Sequence, residues 1–188
     1  MTNYGAAELA SSFRTVRNNT LVIANEIPEN KYGFAPVTGW RTVAEMLKHV
    51  AWAHMTYEDM HVTRRLATLT GYDFPAIFAK RLEKEHQQMN KAQIIDLLRR
   101  EGDRVAAWLA TLDTAFLNET FTDVIGQNPK TRFENMLAIK EHEMHHRGQL
   151  MLIQRMIGIV PHLTREREER ARQRAMAAAA ATAAGAKK

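Results

Sequence analysis

Residues 140–150, KEHEMHHRGQL, place His142, His145 and His146 beside Glu141 and Glu143 within about two helical turns. On a helix, residues four apart lie roughly 40° apart around the axis with Cβ atoms about 6 Å from each other, so His142 and His146 can chelate one cation. A His142/His145 pair, three residues apart, uses the other neighbour spacing and stays open on the residues alone. Two imidazoles leave a divalent ion short of ligands, because catalytic zinc sites typically use three protein ligands and keep one position open. The chain has no cysteine. Any further ligand must therefore be His, Asp or Glu, and disulfides, thiolate ligands and a cysteine nucleophile are excluded.

Read literally, His142-Glu143-Met144-His145-His146 is also HExxH, the zinc-protease motif in which the glutamate activates a metal-bound water. Glu166, about 20 residues beyond His146, stands where one protease class finds its third ligand. The elongated form of the motif is absent, since Gln149 and Leu152 occupy its Gly and His positions. Such proteases dock substrate along a sheet edge that this sequence does not offer.

The other source of a third ligand is His49. Thr42, Met46, His49, Ala53, Thr56 and Met60 repeat three and four apart, which puts His49 on a stripe of small and apolar residues. A lone histidine there is most often a core-edge residue bonded to a backbone carbonyl. Together with an i,i+4 pair elsewhere in a bundle, it supplies a three-nitrogen site. His54, His61, His86 and His162 have no matching spacing and read as surface residues. Met46, Met60, Met136, Met144 and Met151 read as core gap-fillers, and Trp40, Trp52 and Trp108 as packing residues. Gln149, seven residues after His142, shares its face and can orient a ligand. Gly148 leaves room for a neighbouring helix.

The elements that must position these residues are helical. Apolar positions Leu9, Phe13, Val16 and Ile23 predict a first helix from about Ala6 to Ile27, and a Pro/Gly-containing loop follows. Thr42 and Glu45 form a capping box for a second helix, predicted from about Val43 to Leu69. A short helix is placed at 76–89. The stripe Ile94, Leu97, Val105 and Leu109 gives a third long helix from Lys91 to Leu112, weakened by Gly102. After an irregular stretch with a brief extended piece at 119–125, a second capping box, Thr131/Glu134, opens a fourth long helix to about Ile157. The expected fold is therefore all-α, an up-down four-helix bundle. Residues 1–164 form the bundle domain and residues 165–188 an Ala/Arg-rich helical tail with little apolar bulk to bury.

The chain has a formal charge of +5, but its tail carries seven Lys/Arg against three Glu. The body is close to neutral, which argues against a groove for a nucleic-acid backbone. No signal-type segment and no membrane-length apolar run appears, so a cytoplasmic protein is expected.

Across roughly residues 8–160 the sequence resembles the DinB/YfiT-like superfamily of metal-binding four-helix proteins. The segment IPENKYGFAPVTGWRTVAEMLKHVAWAH is similar to the family's approach to its first metal histidine, and HEMHHRGQL to its last-helix signature. The resemblance implies His49, His142 and His146 as a facial metal set, a divalent transition metal such as Zn or Ni, and a homodimer. Some relatives look like transferases that place the sulfur of a low-molecular-weight thiol on the metal, and others like hydrolases. The expectation is a metal-dependent enzyme acting on a small-molecule substrate, with thiol transfer preferred. HExxH-type hydrolysis and a stress-associated metal-binding module without turnover are the alternatives.

Overall fold

The computed structural model of the protein describes residues 4–185. Its elements run α1 (Ala6–Glu26), α2 (Val43–Trp52), α3 (His54–Glu58), α4 (Phe74–His86), α5 (Lys91–Ala110), α6 (Thr114–Asn118), β1 (Thr120–Phe121), β2 (Lys130–Thr131), α7 (Arg132–Met156) and α8 (His162–Gly185). The four-helix bundle is formed by α1, α2, α5 and α7: α1 packs on α5 and α7, and α2 on α5 and α7. Outside it, α4 lies against α2, while β1 and β2 pair as a two-residue antiparallel ladder in the α6–α7 connection. Only β1 falls within the extended piece predicted at 119–125; its partner β2 lies beyond it, against the start of α7.

Local chemistry explains the helix starts. The Thr42 hydroxyl accepts from the Glu45 amide while Glu45 accepts from the Thr42 amide, which closes the predicted capping box. At Thr131 only half of that box forms. The hydroxyl accepts from the Glu134 amide, and the Glu134 carboxylate turns instead to Lys130 at 3.3 Å. Asn90 and Gln93 make a further reciprocal box at the start of α5. Asp73 caps α4 through the Ala76 amide, with Pro75 in its first turn, so this helix starts earlier than predicted.

The second predicted helix is not continuous. Its hydrogen-bond ladder breaks at Ala53, a π-type turn covers Asp59–Thr63, and Arg65 at φ 43° turns the chain away. The irregular path brings two histidines inside. His54 meets Arg104 of α5, and His61 lies between Arg132 and Asn135 of α7, 2.8 Å and 2.6 Å from their side chains. His54, His61 and His162 are thus buried rather than on the surface; His86 alone of that group is exposed.

Two apolar clusters fill the bundle. One gathers Ile23, Leu47, Val50, Ile94, Leu98 and Leu150; the other gathers Leu9, Phe13, Val105, Leu109, Met136 and Ile139. Met46, Met60 and Met136 are core residues as expected, but Met144 is exposed, and so is Trp40. Arg17 of α1 adds a buried cation that hydrogen-bonds the carbonyl oxygens of Leu98 and Val50, both members of the first cluster. Gly102 makes space for it: a Cβ there would stand 2.6 Å from Arg17 Cγ. Gly148, by contrast, has no packing neighbour within 4 Å of where its Cβ would be.

The Ala/Arg-rich segment continues α8, which begins at His162. His162 is buried and lies 3.2 Å from the Asn19 side chain, and Arg165 pairs with Glu26. Beyond Thr164 the described side chains are exposed. No described helix is long and apolar enough to cross a membrane.

Candidate metal centre

His49 in α2 faces His142 and His146 in α7. The potential ligand nitrogens of these three residues all lie within 4.8 Å of one another. His49 Nε2 and His142 Nε2 are 3.0 Å apart. Two nitrogens bound at about 2.1 Å to one ion and separated by about 90° would stand about 3.0 Å apart, so the pair already has ligand spacing. The alternative His142/His145 pairing does not form: His145 is exposed on the flank of α7.

Two of the ring nitrogens turned away from the centre are held. His49 Nδ1 lies 2.6 Å from Glu85 Oε1, and with Glu85 ionised this nitrogen carries the proton and donates it. Nε2 is left with its lone pair toward the cluster. His146 Nδ1 donates to Gln149 Oε1 at 2.8 Å, which frees its Nε2 in the same way. The amide nitrogen of Gln149 donates in turn to His145 Nε2 at 3.1 Å, so His145 fixes the amide that fixes His146. Such outer partners set tautomer and ring orientation in metal-binding histidines.

Electrostatics favour neutral imidazoles at His142 and His146. Burial, with His146 and His49 facing it, pushes His142 down to about 3. Burial also pushes His146 down to about 4, against the opposing effect of its bond to Gln149. Both therefore offer lone pairs at neutral pH, as metal ligation requires. Burial by itself would raise the Glu85 carboxyl, but the bonds from His49 and Arg41 outweigh it and hold the group below the usual carboxylate range. Three histidine nitrogens converging from two helices, backed by a carboxylate and an amide, fit the donor set of a divalent transition ion.

Sequence reasoning missed Glu85 and also Arg41, which pairs with Glu85 Oε2 at 3.0 Å. Glu85 sits on a peripheral helix among exposed charges, where no spacing marks it. Glu143 has a different fate from that of the HExxH base. Its carboxylate, 2% exposed, is clasped by Arg17 at 2.9–3.1 Å between α1 and α7. Glu166 lies on the exposed part of α8 and takes no part in the cluster.

The profile of the DinB superfamily matches residues 12–150. The chain belongs to that superfamily. Among solved structures, this DinB-superfamily chain is similar to YfiT from Bacillus subtilis, described as a probable metal-dependent hydrolase with an unusual four-helix bundle topology, at a TM-score of 0.64 and 17% identity over 85% of this chain and 91% of that one. It is also similar to YjoA, a DinB-like protein from Bacillus subtilis, at a TM-score of 0.57 and 20% identity over 80% and 92% of the two chains. At these identities the likeness establishes the shared fold. No curated protein matches the chain.

Proposed function

We propose that this DinB-superfamily protein is a metal-dependent enzyme whose His49, His142 and His146 hold one divalent ion, Zn or Ni, for chemistry on a small molecule. The observation that carries the proposal is the convergence of three histidine nitrogens within 4.8 Å, two of the rings having their outer nitrogens fixed by Glu85 and Gln149. Bound there, the ion would supply Lewis acidity, lowering the pKa of a coordinated water or thiol. The chain's own residues do the rest. Glu85 and Gln149 hold the rings in ligating tautomers, and two clefts of about 560 and 570 Å³ bring a ligand to His146 on one side and to His49 and His142 on the other.

Between the two reactions, transfer of a low-molecular-weight thiol to a small electrophile is preferred. The supporting observation is Glu143: engaged by Arg17 and buried, it is not free to take a proton from a nucleophile in the cleft. An ion held there would lower the pKa of a thiol, so transfer would not call for a dedicated base. Hydrolysis is the second reading, favoured by the description of YfiT; with Glu143 engaged, it would rest on the ion's lowering of the water pKa and not on the HExxH base. The thiol partner and a homodimer belong to the same proposal, by family resemblance. Metal analysis of the purified chain, followed by a screen of thiol and electrophile pairs on the metal-loaded form, tests it. Thiol-dependent turnover that disappears with the metal supports transfer; turnover of ester or amide substrates without thiol supports hydrolysis; stoichiometric metal with neither activity points to a binding module.

A further inference from the structure

Arg81, four residues before Glu85 on α4, is buried at 7% exposure, yet no described carboxylate comes within 4.0 Å of it. Glu85 is already engaged, one oxygen by His49 and the other by Arg41. Of the five guanidinium N–H groups, one meets a clear acceptor: Nη1 donates to Thr56 Oγ1 at 3.1 Å. Nη2 lies 3.4 Å from His49 Nδ1, but that nitrogen carries the proton it gives to Glu85 and cannot accept. Arg81 Nε has no partner at all. A buried cation left in this state is costly, and a bound anion is the ordinary remedy.

The surroundings supply a site for such an anion. A cleft of about 570 Å³ runs from His49 and His142 past Arg81, with Pro75, Phe78, Ala79 and Leu82 as its apolar wall. A second cavity of about 310 Å³ shares Phe78, Arg81 and His142 with it and adds Tyr57, Met60 and Leu69. Both are of a size that takes a small organic ligand. Arg81 thus stands where the two spaces meet, beside the metal centre, with apolar surface on either side.

We propose that Arg81 anchors the carboxylate of a small substrate whose apolar body lies against Phe78 and its neighbours, with its reacting end directed to His49 and His142. The position of the reacting end rests on the proposed metal centre; the anchoring itself does not. A carboxylate is preferred to a phosphate because one guanidinium carries the charge match. The other cation in the cleft, Arg41, is paired with Glu85, and a dianion would be left half neutralised.

Titration calorimetry on the full chain, metal-free and zinc-loaded, with 4-phenylbutyrate, 4-phenylbutanol and 4-phenylbutyl phosphate as probes, tests this. The expected result is at least tenfold tighter binding of the carboxylate than of the alcohol in both forms, lost in Arg81→Gln and partly kept in Arg81→Lys. Equal binding of acid and alcohol by the unaltered chain overturns the proposal, and so does a preference that survives Arg81→Gln. Tighter binding of the phosphate overturns the choice of carboxylate. If Arg81→Gln fails to fold, Ala79→Phe narrows the cleft without touching the cation. It should abolish binding of the carboxylate with zinc uptake unchanged, and undiminished binding overturns the site. Should the chain take up no zinc while the Arg81-dependent preference persists, the metal reading fails and the anion site stands.

Discussion

Arg17 of α1 grips Glu143 of α7 side-on, Nε and Nη2 each 2.9 Å from a carboxylate oxygen, and the pair is shut away from water with side chains 4% and 2% exposed. The glutamate that would serve as the base of an HExxH site is instead half of a buried clamp between two bundle helices. Its partner also donates to the Leu98 carbonyl at 2.7 Å, so the clamp reaches α5 as well.

Glu143→Gln removes one charge and strands the other. We expect a loss of about 3 kcal/mol in unfolding free energy, the usual cost of breaking a buried pair from one side, with stoichiometric metal retained. The double variant Arg17→Met/Glu143→Leu should recover most of that loss, since apolar replacement of both partners is often neutral. Denaturant titration checks both, and a general-base role would appear as a several-hundredfold fall in turnover at full metal content.

Gly102→Ala should destabilise the protein although alanine is the better helix former by about 1 kcal/mol. The added methyl meets Arg17 Cγ at 2.6 Å, and Arg17 is held too firmly by Glu143 and Leu98 to move freely. Overpacking of this kind costs about 1–3 kcal/mol. A rise in thermal midpoint for this variant would show that Arg17 yields easily.

His49→Ala, His142→Ala and His146→Ala should each strip most bound metal from a folded protein, while His145→Ala keeps it with a modest loss of affinity through Gln149. Glu85→Gln should weaken metal binding about 10–100-fold, the range typical of losing a carboxylate behind a ligating histidine. Competition with a chromogenic chelator measures all five. Full-strength binding by Glu85→Gln would mean that the contact with His49 is incidental.

The stability of the metal-free protein should fall on acidification. Burial and the facing Arg104 push His54 down to about 3, and burial pushes His61 down to about 4. A depressed folded value means that the unfolded chain takes up the proton first. The stabilisation is therefore complete above the ordinary histidine value of 6.5 and is lost as the pH falls through the window down to about 4 and 3. His142 and His146 act in the same direction. Denaturant unfolding between pH 7 and pH 5, where most carboxylates stay ionised, should show a steady decline. His61→Asn should flatten it, and a level profile in the unaltered protein would contradict burial of neutral imidazoles.

The sequence by itself determined three long bundle helices, the capped start of the fourth at Thr42 and the i,i+4 spacing of His142 and His146, because helical periodicity and capping are written in residues a few positions apart. His49 was legible as a histidine on an inward stripe that, with the i,i+4 pair, supplies a three-nitrogen site, and the family resemblance pointed to the same three residues. The tertiary structure decided the rest. Glu85 reaches His49 across 36 positions of chain, and Arg17 reaches Glu143 across 126. Arg17 was hidden in an apolar stripe, His54 and His61 in a helix that breaks, and Arg81 on a predicted short helix where no spacing singles it out. Which side chain meets which across two helices depends on their relative rotation and register. These are set by packing of the whole core, so no local pattern records them.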